Sequence, residues 1–532
     1  MTAVVESPRD AVHELGQQIV DLIGVPKDPW EIAAHLEVIG LRDADARAQY
    51  GERDLFALAH RLFADFQNGA FRFVIDPPDP EKPVHPAVRF FRYYMVGLSF
   101  SVPMALQAIA MLVWGYGIWG AIDLDLRAGS AIALGFIASY VVTGGFAQAI
   151  VRRGLFHIYQ EDGWLARWTV LRAWSLSLRI VLALVPLVLL VNLLFEMLPW
   201  SILLLAAGYY AALSVLWLNW SMLYLLRKTA LFALTTAIAL TAVLAAAKLL
   251  NFGPVAANAV GLAVADVLTF VIALRHLNRI AHDRLATEPV NPPRLTVLVY
   301  STARFFVYGL LYNTFLFADR MIAWTSHVGR EDFPPYGFWL NVRYELGMDL
   351  ALVVVMVLSG VVEYTTQRFS ETLIPNEKRH KSAAAQAFLN AARAAQRRRV
   401  LLLAVWSVFA FAIAIGVALL LRANAAPRFQ EPLASITTTR VFWIASVAYV
   451  IYMFAVQNIL VLLTLSRVDL VARGVGIALA VNVAVGFIGS RAIHYSFAVV
   501  GLLAGATVLL FLTRRSMSRV LDELDFYYYA AY

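Results

Sequence analysis

The chain has no cysteine and little charge: Asp, Glu, Lys and Arg together make up only 15% of its 532 residues. The missing thiols exclude disulfides, thiolate catalysis and cysteine-ligated metals, and leave the redox compartment open. Soluble chains carry roughly 25% charged residues. Here the apolar share is 60% and the mean hydropathy +0.67, more apolar surface than a soluble fold of this size can bury. The chain therefore reads as an integral membrane protein, and a mainly water-soluble enzyme is excluded. Catalytic motifs are missing as well. No G-x-x-x-x-G-K-[ST], H-E-x-x-H or G-x-S-x-G occurs, and the ten histidines show no metal-ligand spacing. No cofactor is expected. The net charge of +8 implies no nucleic-acid partner, because basic residues in a membrane protein mark its cytoplasmic loops.

The first 90 residues are a different material, charged and with apolar residues at helical spacing. Leu15, Ile19 and Leu22 predict one helix, Trp30, Ile32, Ala33 and Leu36 a second, and Leu55, Leu58, Leu62 and Phe66 a third. Asp28-Pro29 reads as a helix start and Asp54 as a cap. No apolar stretch follows the initiating methionine, so no signal peptide is expected. Pro77, Pro78, Pro80, Pro83 and Pro86 form a stiff linker.

Beyond residue 93 the chain becomes a series of apolar stretches long enough to cross about 30 Å of hydrocarbon. Twelve are expected, at 94–117, 129–151, 178–198, 200–226, 229–250, 254–276, 295–322, 337–363, 400–422, 439–465, 468–490 and 493–513. Lys and Arg crowd alternate connections, which places both termini in the cytoplasm. The spans divide six and six. In each half the second and third are joined by a long cytoplasmic amphipathic segment, 152–177 or 364–399, the first of them expected to lie as a connector in the membrane plane. In each half the fourth and fifth are joined by a very short basic turn, Arg227-Lys228 or Ser466-Arg467. Halves with an even number of spans enter the membrane the same way, as a parallel repeat. The expected fold is an all-α polytopic membrane protein of two six-helix lobes with a small N-terminal helical module. The expected segments are a cytoplasmic module at 1–76, a Pro-rich linker at 77–92, a first lobe at 93–276, an inter-lobe linker at 277–294, and a second lobe with a cytoplasmic tail at 295–532.

Charges inside spans are the sharpest functional signal, because burying them in hydrocarbon is costly. The first lobe has one deep charge, Asp266. The seventh span carries Arg304, Asp319 and Arg320, and the eighth Arg343, Glu345, Asp349 and Glu363. Asp319 and Arg320 could pair with Arg343 and Glu345 across the hairpin. Alternatively, these two spans line a hydrophilic path for substrate or ion. Counting from the expected span ends puts Asp266, Arg304 and Asp349 at one depth, near the midplane, where one arginine could exchange between two carboxylates. Three further features have both a plain and a functional reading. Asp123 and Asp125 are a solvated turn or the metal-binding acids of a polyprenol-phosphate-sugar glycosyltransferase. The aromatic and basic stretch 154–177 is an interfacial connector or a lipid gate. Lys378, Arg379, Lys381 and Arg397-Arg398-Arg399 are ordinary loop charge or a dock for a cytoplasmic partner or anionic lipid.

The residues Gly309-Leu310-Leu311-Tyr312-Asn313, Phe317-Ala318-Asp319-Arg320 and Trp324 resemble the seventh span of PelG-type proteins. Tyr344-Glu345-Leu346 is similar to a Tyr-Asp-Leu opening that family's next span, and Thr366-Gln367-Arg368-Phe369 fits its charged, aromatic tail. Here Glu345 stands for the family's Asp and Arg320 for a common Lys. The resemblance implies an exopolysaccharide exporter of the multidrug/oligosaccharidyl-lipid/polysaccharide flippase superfamily, in the cytoplasmic membrane. Its partners would be a polysaccharide or lipid-linked glycan, membrane lipids, a cytoplasmic glycosyltransferase and other proteins of a synthase complex. The rival readings are the membrane glycosyltransferase above and a scaffold for such a complex.

Overall fold

A computed structural model describes residues 8–23, 26, 28–71, 85–160, 162–283, 294–330, 337–379, 385–424 and 427–522. Pro77, Pro78, Pro80, Pro83, Pro289, Pro292, Pro293 and Lys381 lie outside the described residues, as do the side chains of Leu22, Lys378 and Arg379. Among the described residues there is no strand; one isolated antiparallel bridge joins Tyr116 and Ala121.

Four short helices open the chain: α1 (Pro8–Ile23), α2 (Pro29–Val38), α3 (Asp43–Tyr50) and α4 (Leu55–Gln67). Then come α5 (Pro86–Leu98), α6 (Val102–Trp114), α7 (Leu126–Tyr159), α8 (Gly163–Phe195), α9 (Trp200–Leu225), α10 (Ala230–Lys248) and α11 (Pro254–Asp283). The last group is α12 (Leu295–Trp324), α13 (Val342–Arg379), α14 (Ala385–Asn424), the short α15 (Pro427–Ala434), α16 (Ile436–Thr464), α17 (Val468–Ala492) and α18 (Ala498–Asp522). Eleven of these helices are long and apolar enough to span a membrane, and α5 with α6 adds a twelfth, broken span. The twelve form two six-helix lobes, α5–α11 and α12–α18, the latter with α15 as an extra short helix.

By internal packing the chain divides into two compact units. One is Met1–Phe90 with Thr365–Val400, the other Phe91–Tyr364 with Leu401–Tyr532. In the first unit, Ile19, Ile32, Leu36, Leu58 and Leu62 share one core. The Asp28 carboxylate accepts from the Glu31 N–H at 2.8 Å and starts α2; the Asp54 carboxylate accepts from the Ala57 N–H at 2.8 Å and starts α4. That backbone N–H, followed by the Arg53 side chain, holds the Asp54 carboxyl below its ordinary range. A lowered carboxyl pKa adds stability above the unfolded value, and the gain is lost as pH falls through the folded one. The helix α3 has no counterpart in the sequence pattern, because it buries only Ala46 and so carries no apolar stripe. Phe71 also joins this core: a Cβ on Gly16 would lie 2.2 Å from its ring. A soluble fragment must therefore run past Asn68. We expect residues 1–76 to be helical by circular dichroism, and Leu58→Ala, at a fully buried site, to cost about 2–5 kcal/mol. That is enough to unfold so small a core. A fragment that stays unfolded with Leu58 intact would refute its independence.

In the second unit the first span is not the single helix expected over 94–117. It breaks at residues 99–101, where α5 and α6 are bent by 66°. Pro103, at the start of α6, has no N–H to give the Ser99 carbonyl, and its ring crowds that carbonyl. The in-plane connector expected over 154–177 is not found either. α7 continues to Tyr159 and turns directly into α8, whose first turn is capped by Asp162 accepting from the Leu165 N–H at 2.8 Å. Gly163 lets the start of α8 approach α11, since a Cβ there would meet the Ile280 carbonyl oxygen at 2.3 Å. α13 and α14 likewise run on as helices, and the Arg399 guanidinium sits 4.8 Å above the Phe369 ring. A helix satisfies its own backbone at any depth. It has no reason to stop at the membrane surface when its side chains turn polar.

The two short basic turns share a backbone. Arg227 and Ser466 both have left-handed torsions, φ 54° and φ 57°. The N–H of Lys228 donates to the Leu223 carbonyl at 3.0 Å, and that of Arg467 to the Leu462 carbonyl at 2.8 Å. Both turns are tied to the end of α7. Arg227 donates to the Tyr159 hydroxyl at 3.0 Å, and Arg152 to the Ser466 hydroxyl at 2.6 Å.

Candidate functional site

The lobes meet along two seams. In the first, α7 lies against α12 through glycines: a Cβ on Gly309 would fall 2.4 Å from the Gly144 carbonyl oxygen, and one on Gly145 would fall 2.7 Å from the Phe306 carbonyl oxygen. Asn313 of α12 donates to the Tyr140 carbonyl of α7 at 2.8 Å, and the Tyr140 and Phe317 rings meet edge to face. In the second seam, α5 lies against α13. A Cβ on Gly97 would sit 2.6 Å from the Ser359 carbonyl oxygen, and the hydroxyls of Ser101 and Ser359 are 3.4 Å apart.

Beyond the seam contacts along each helix, α12 and α13 bring a charged cluster together. Arg320 donates to the Glu345 carboxylate, and through both of its terminal nitrogens to Asp349 at 3.1 Å. Trp324 donates to the other Glu345 oxygen at 2.7 Å, and the Tyr344 hydroxyl to Asp319 at 2.7 Å. The buried Tyr449 of α16 adjoins Arg320. The Arg320 and Glu345 side chains are 8% and 13% exposed, whereas Asp349 is 60% exposed. Asp319 is fully buried, and its second oxygen has no hydrogen-bond partner. Two carboxylates share one guanidinium and a third, Asp319, lies beside it on the Tyr344 hydroxyl, an excess of negative charge that a proton, a cation or a donor-rich ligand would balance. Carboxylates accept hydrogen bonds from hydroxyls, so the exposed Asp349 is suited to a polyhydroxyl ligand.

The remaining charges are placed elsewhere. Arg304 pairs with Asp469 of α17 at 2.9 Å, both well exposed. Arg343 pairs with Glu431 of α15 at 2.9 Å and not with Asp319. Asp266 lies in the first lobe. One of its carboxylate oxygens is buried without a hydrogen-bond partner, and its backbone carbonyl accepts from Asn219 at 3.0 Å. Asp266, Arg304 and Asp349 are thus not one constellation. An arginine does sit between two carboxylates, but it is Arg320. The depth estimate failed because α13 begins at Val342, not 337, so Asp349 is only about 10 Å from that helix end. Arg304 is about 30 Å from the matching end of α12. Sequence reasoning gave no weight to Asp469 or Glu431. Asp469 stands in the first turn of its helix, where an acid is unremarkable. Asp125 caps α7, accepting from the Ala128 N–H at 2.9 Å, which gives that carboxylate a structural task.

No protein-family model matches the chain, and no curated protein matches it by sequence. Solved structures do. A multidrug resistance MATE family transporter of the MOP superfamily, in its outward-facing conformation, aligns with TM-score 0.56 and 14% identity, over 83% of this chain and 97% of that one. The inward-facing conformation of such a transporter aligns with TM-score 0.52 and 14% identity, over 82% and 99%. A MOP superfamily transporter from Pyrococcus furiosus, for which a reversed polarity of the binding pocket was described, aligns with TM-score 0.51 and 16% identity, over 82% and 96%. This chain is a multi-pass membrane protein with the two-lobed, twelve-span fold of the MATE transporters.

Proposed function

We propose that the chain carries a polysaccharide or lipid-linked glycan across the cytoplasmic membrane, by alternate exposure of the space between its lobes. The observation that carries this reading is the convergence at α12 and α13. Asp319, Arg320, Trp324, Tyr344 and Glu345 are the residues that resemble PelG-type proteins, and they join directly to one another around the exposed Asp349. The clustering of Lys and Arg in alternate connections supports an orientation with both termini in the cytoplasm. The α5–α13 seam then closes the cytoplasmic half, and Asp349 lies about 16 Å farther along α13, in the half facing away. The N-terminal module is the place for a cytoplasmic glycosyltransferase to dock.

The test is export in cells lacking the wild-type chain. Asp349→Asn keeps the shape and removes the charge of an exposed side chain. We expect at least a tenfold fall in surface polysaccharide, with unchanged protein level in the membrane. Wild-type export in this variant would remove Asp349 from the pathway, and unchanged export on deleting the whole chain would end the reading. A scaffold would tolerate Asp349→Asn but not deletion.

A further inference from the structure

α14 carries a charge-free run from Val400 to Leu421, bounded by Arg399 and Arg422. Its roughly 22 residues measure about 33 Å, close to the ~30 Å of a bilayer's hydrocarbon. Arg422 therefore stands at a hydrocarbon boundary, at headgroup level. Directly along the helix from it, a cavity of about 80 Å³ lies between α14 and α16, with Arg422 among its lining residues. Ala418 and Leu419 of α14 and Phe442 and Trp443 of α16 form its walls, completed by the buried Leu350 and Leu433. Leu419 and Trp443 are 59% and 44% exposed, so the mouth opens sideways, toward lipid.

The cavity is poorly suited to water, which needs two to four polar partners. The two hydroxyls lining it, of Thr438 and Thr439, already donate to the backbone carbonyls of Pro432 and Ser435. Glu431, the acid of the neighbouring α15, is taken by Arg343. The first lobe has no counterpart of α15. There the link from α8 to α9 is a tight turn, closed by Asn192 bonding both backbone groups of Leu198 at 3.0 and 2.8 Å. The inserted α15 is what makes room in the second lobe.

We infer that this notch holds one anionic phospholipid of the adjoining leaflet, a few methylenes of an acyl chain in the cavity and the phosphodiester on Arg422. An apolar slot about one to two helical turns below a guanidinium matches the spacing of chain and phosphate in such a lipid. A guanidinium binds phosphate oxygens in pairs, and a zwitterionic headgroup brings its own cation to compete.

The full chain, delipidated in detergent, can be offered phosphatidylglycerol or phosphatidylcholine with the same acyl chains and weighed by native mass spectrometry. One phosphatidylglycerol should be retained at least fivefold over phosphatidylcholine. Arg422→Gln should bring that ratio near one, and Ala418→Trp, which fills the slot, should remove the adduct for both lipids. A preference that survives Arg422→Gln, or an adduct that survives Ala418→Trp, overturns the inference. Independently of any variant, phosphatidylglycerol with a diazirine in its acyl chain should label wild-type peptides containing Leu419 or Trp443. Labelling confined to other helices would overturn the inference just as well.

Discussion

Arg320→Gln should destabilise the protein by about 3–5 kcal/mol, the usual cost of removing one partner of a buried ion pair. The guanidinium is almost fully enclosed and is the only cation bonded to Glu345 and Asp349 among the described residues. Removing it leaves Glu345 charged, enclosed and held only by Trp324. Glu345→Gln should cost less, because Arg320 keeps Asp349. The double variant should recover much of the loss, since two neutral amides of matching size can bond each other. Thermal unfolding in detergent, followed by tryptophan fluorescence, reads all three. A single Arg320→Gln variant as stable as the wild type would mean that the cluster is not formed in the membrane-embedded fold.

A cross-link across the α5–α13 seam should stop transport altogether. Because the chain has no cysteine, a pair can be introduced on a clean background. Ser101 and Ser359 face each other with their hydroxyls 3.4 Å apart, within reach of a disulfide. In Ser101→Cys/Ser359→Cys, mild oxidant should form the bond in most molecules and abolish export, and reductant should restore it. Neither single cysteine should respond. Efficient cross-linking with export intact would show that this seam never opens, and would contradict alternate exposure through it.

The helical spans were legible because hydrocarbon thickness imposes a length on every apolar run. The α12–α13 ion pair was legible in part. Arg320 and Glu345 face one another as expected, while Arg343 and Asp319 each found a different partner. What sequence spacing could not supply was the relative height of neighbouring helices. A shift of five residues in the start of α13, about 8 Å, and an α12 of 30 residues, about 45 Å where ~30 Å was assumed, together moved Asp349 away from Arg304. The seams were invisible for another reason. Gly144, Gly309, Gly97 and Gly360 each look like a helix-weakening residue until a second backbone is seen where their Cβ would be. The bend at residues 99–101 was written in Pro103, but the apolar content on both sides hid it.

The paired turns at Arg227 and Ser466 have a consequence for engineering. Each holds a non-glycine residue in the left-handed region, at about 1–2 kcal/mol, and each is bonded to α7 by a different chemistry. What the two lobes share is the torsion and the backbone hydrogen bond that closes the turn; the side chain is local. Four residues, 226–229, join α9 to α10 and three, 465–467, join α16 to α17, so the exchangeable part is the stretch closed by that bond. Transplanting the turn of one lobe into the other should preserve the helix geometry and sever only one tether. A glycine at either position should relieve strain while untying that lobe from the end of α7, which separates the cost of the backbone from the value of the tie.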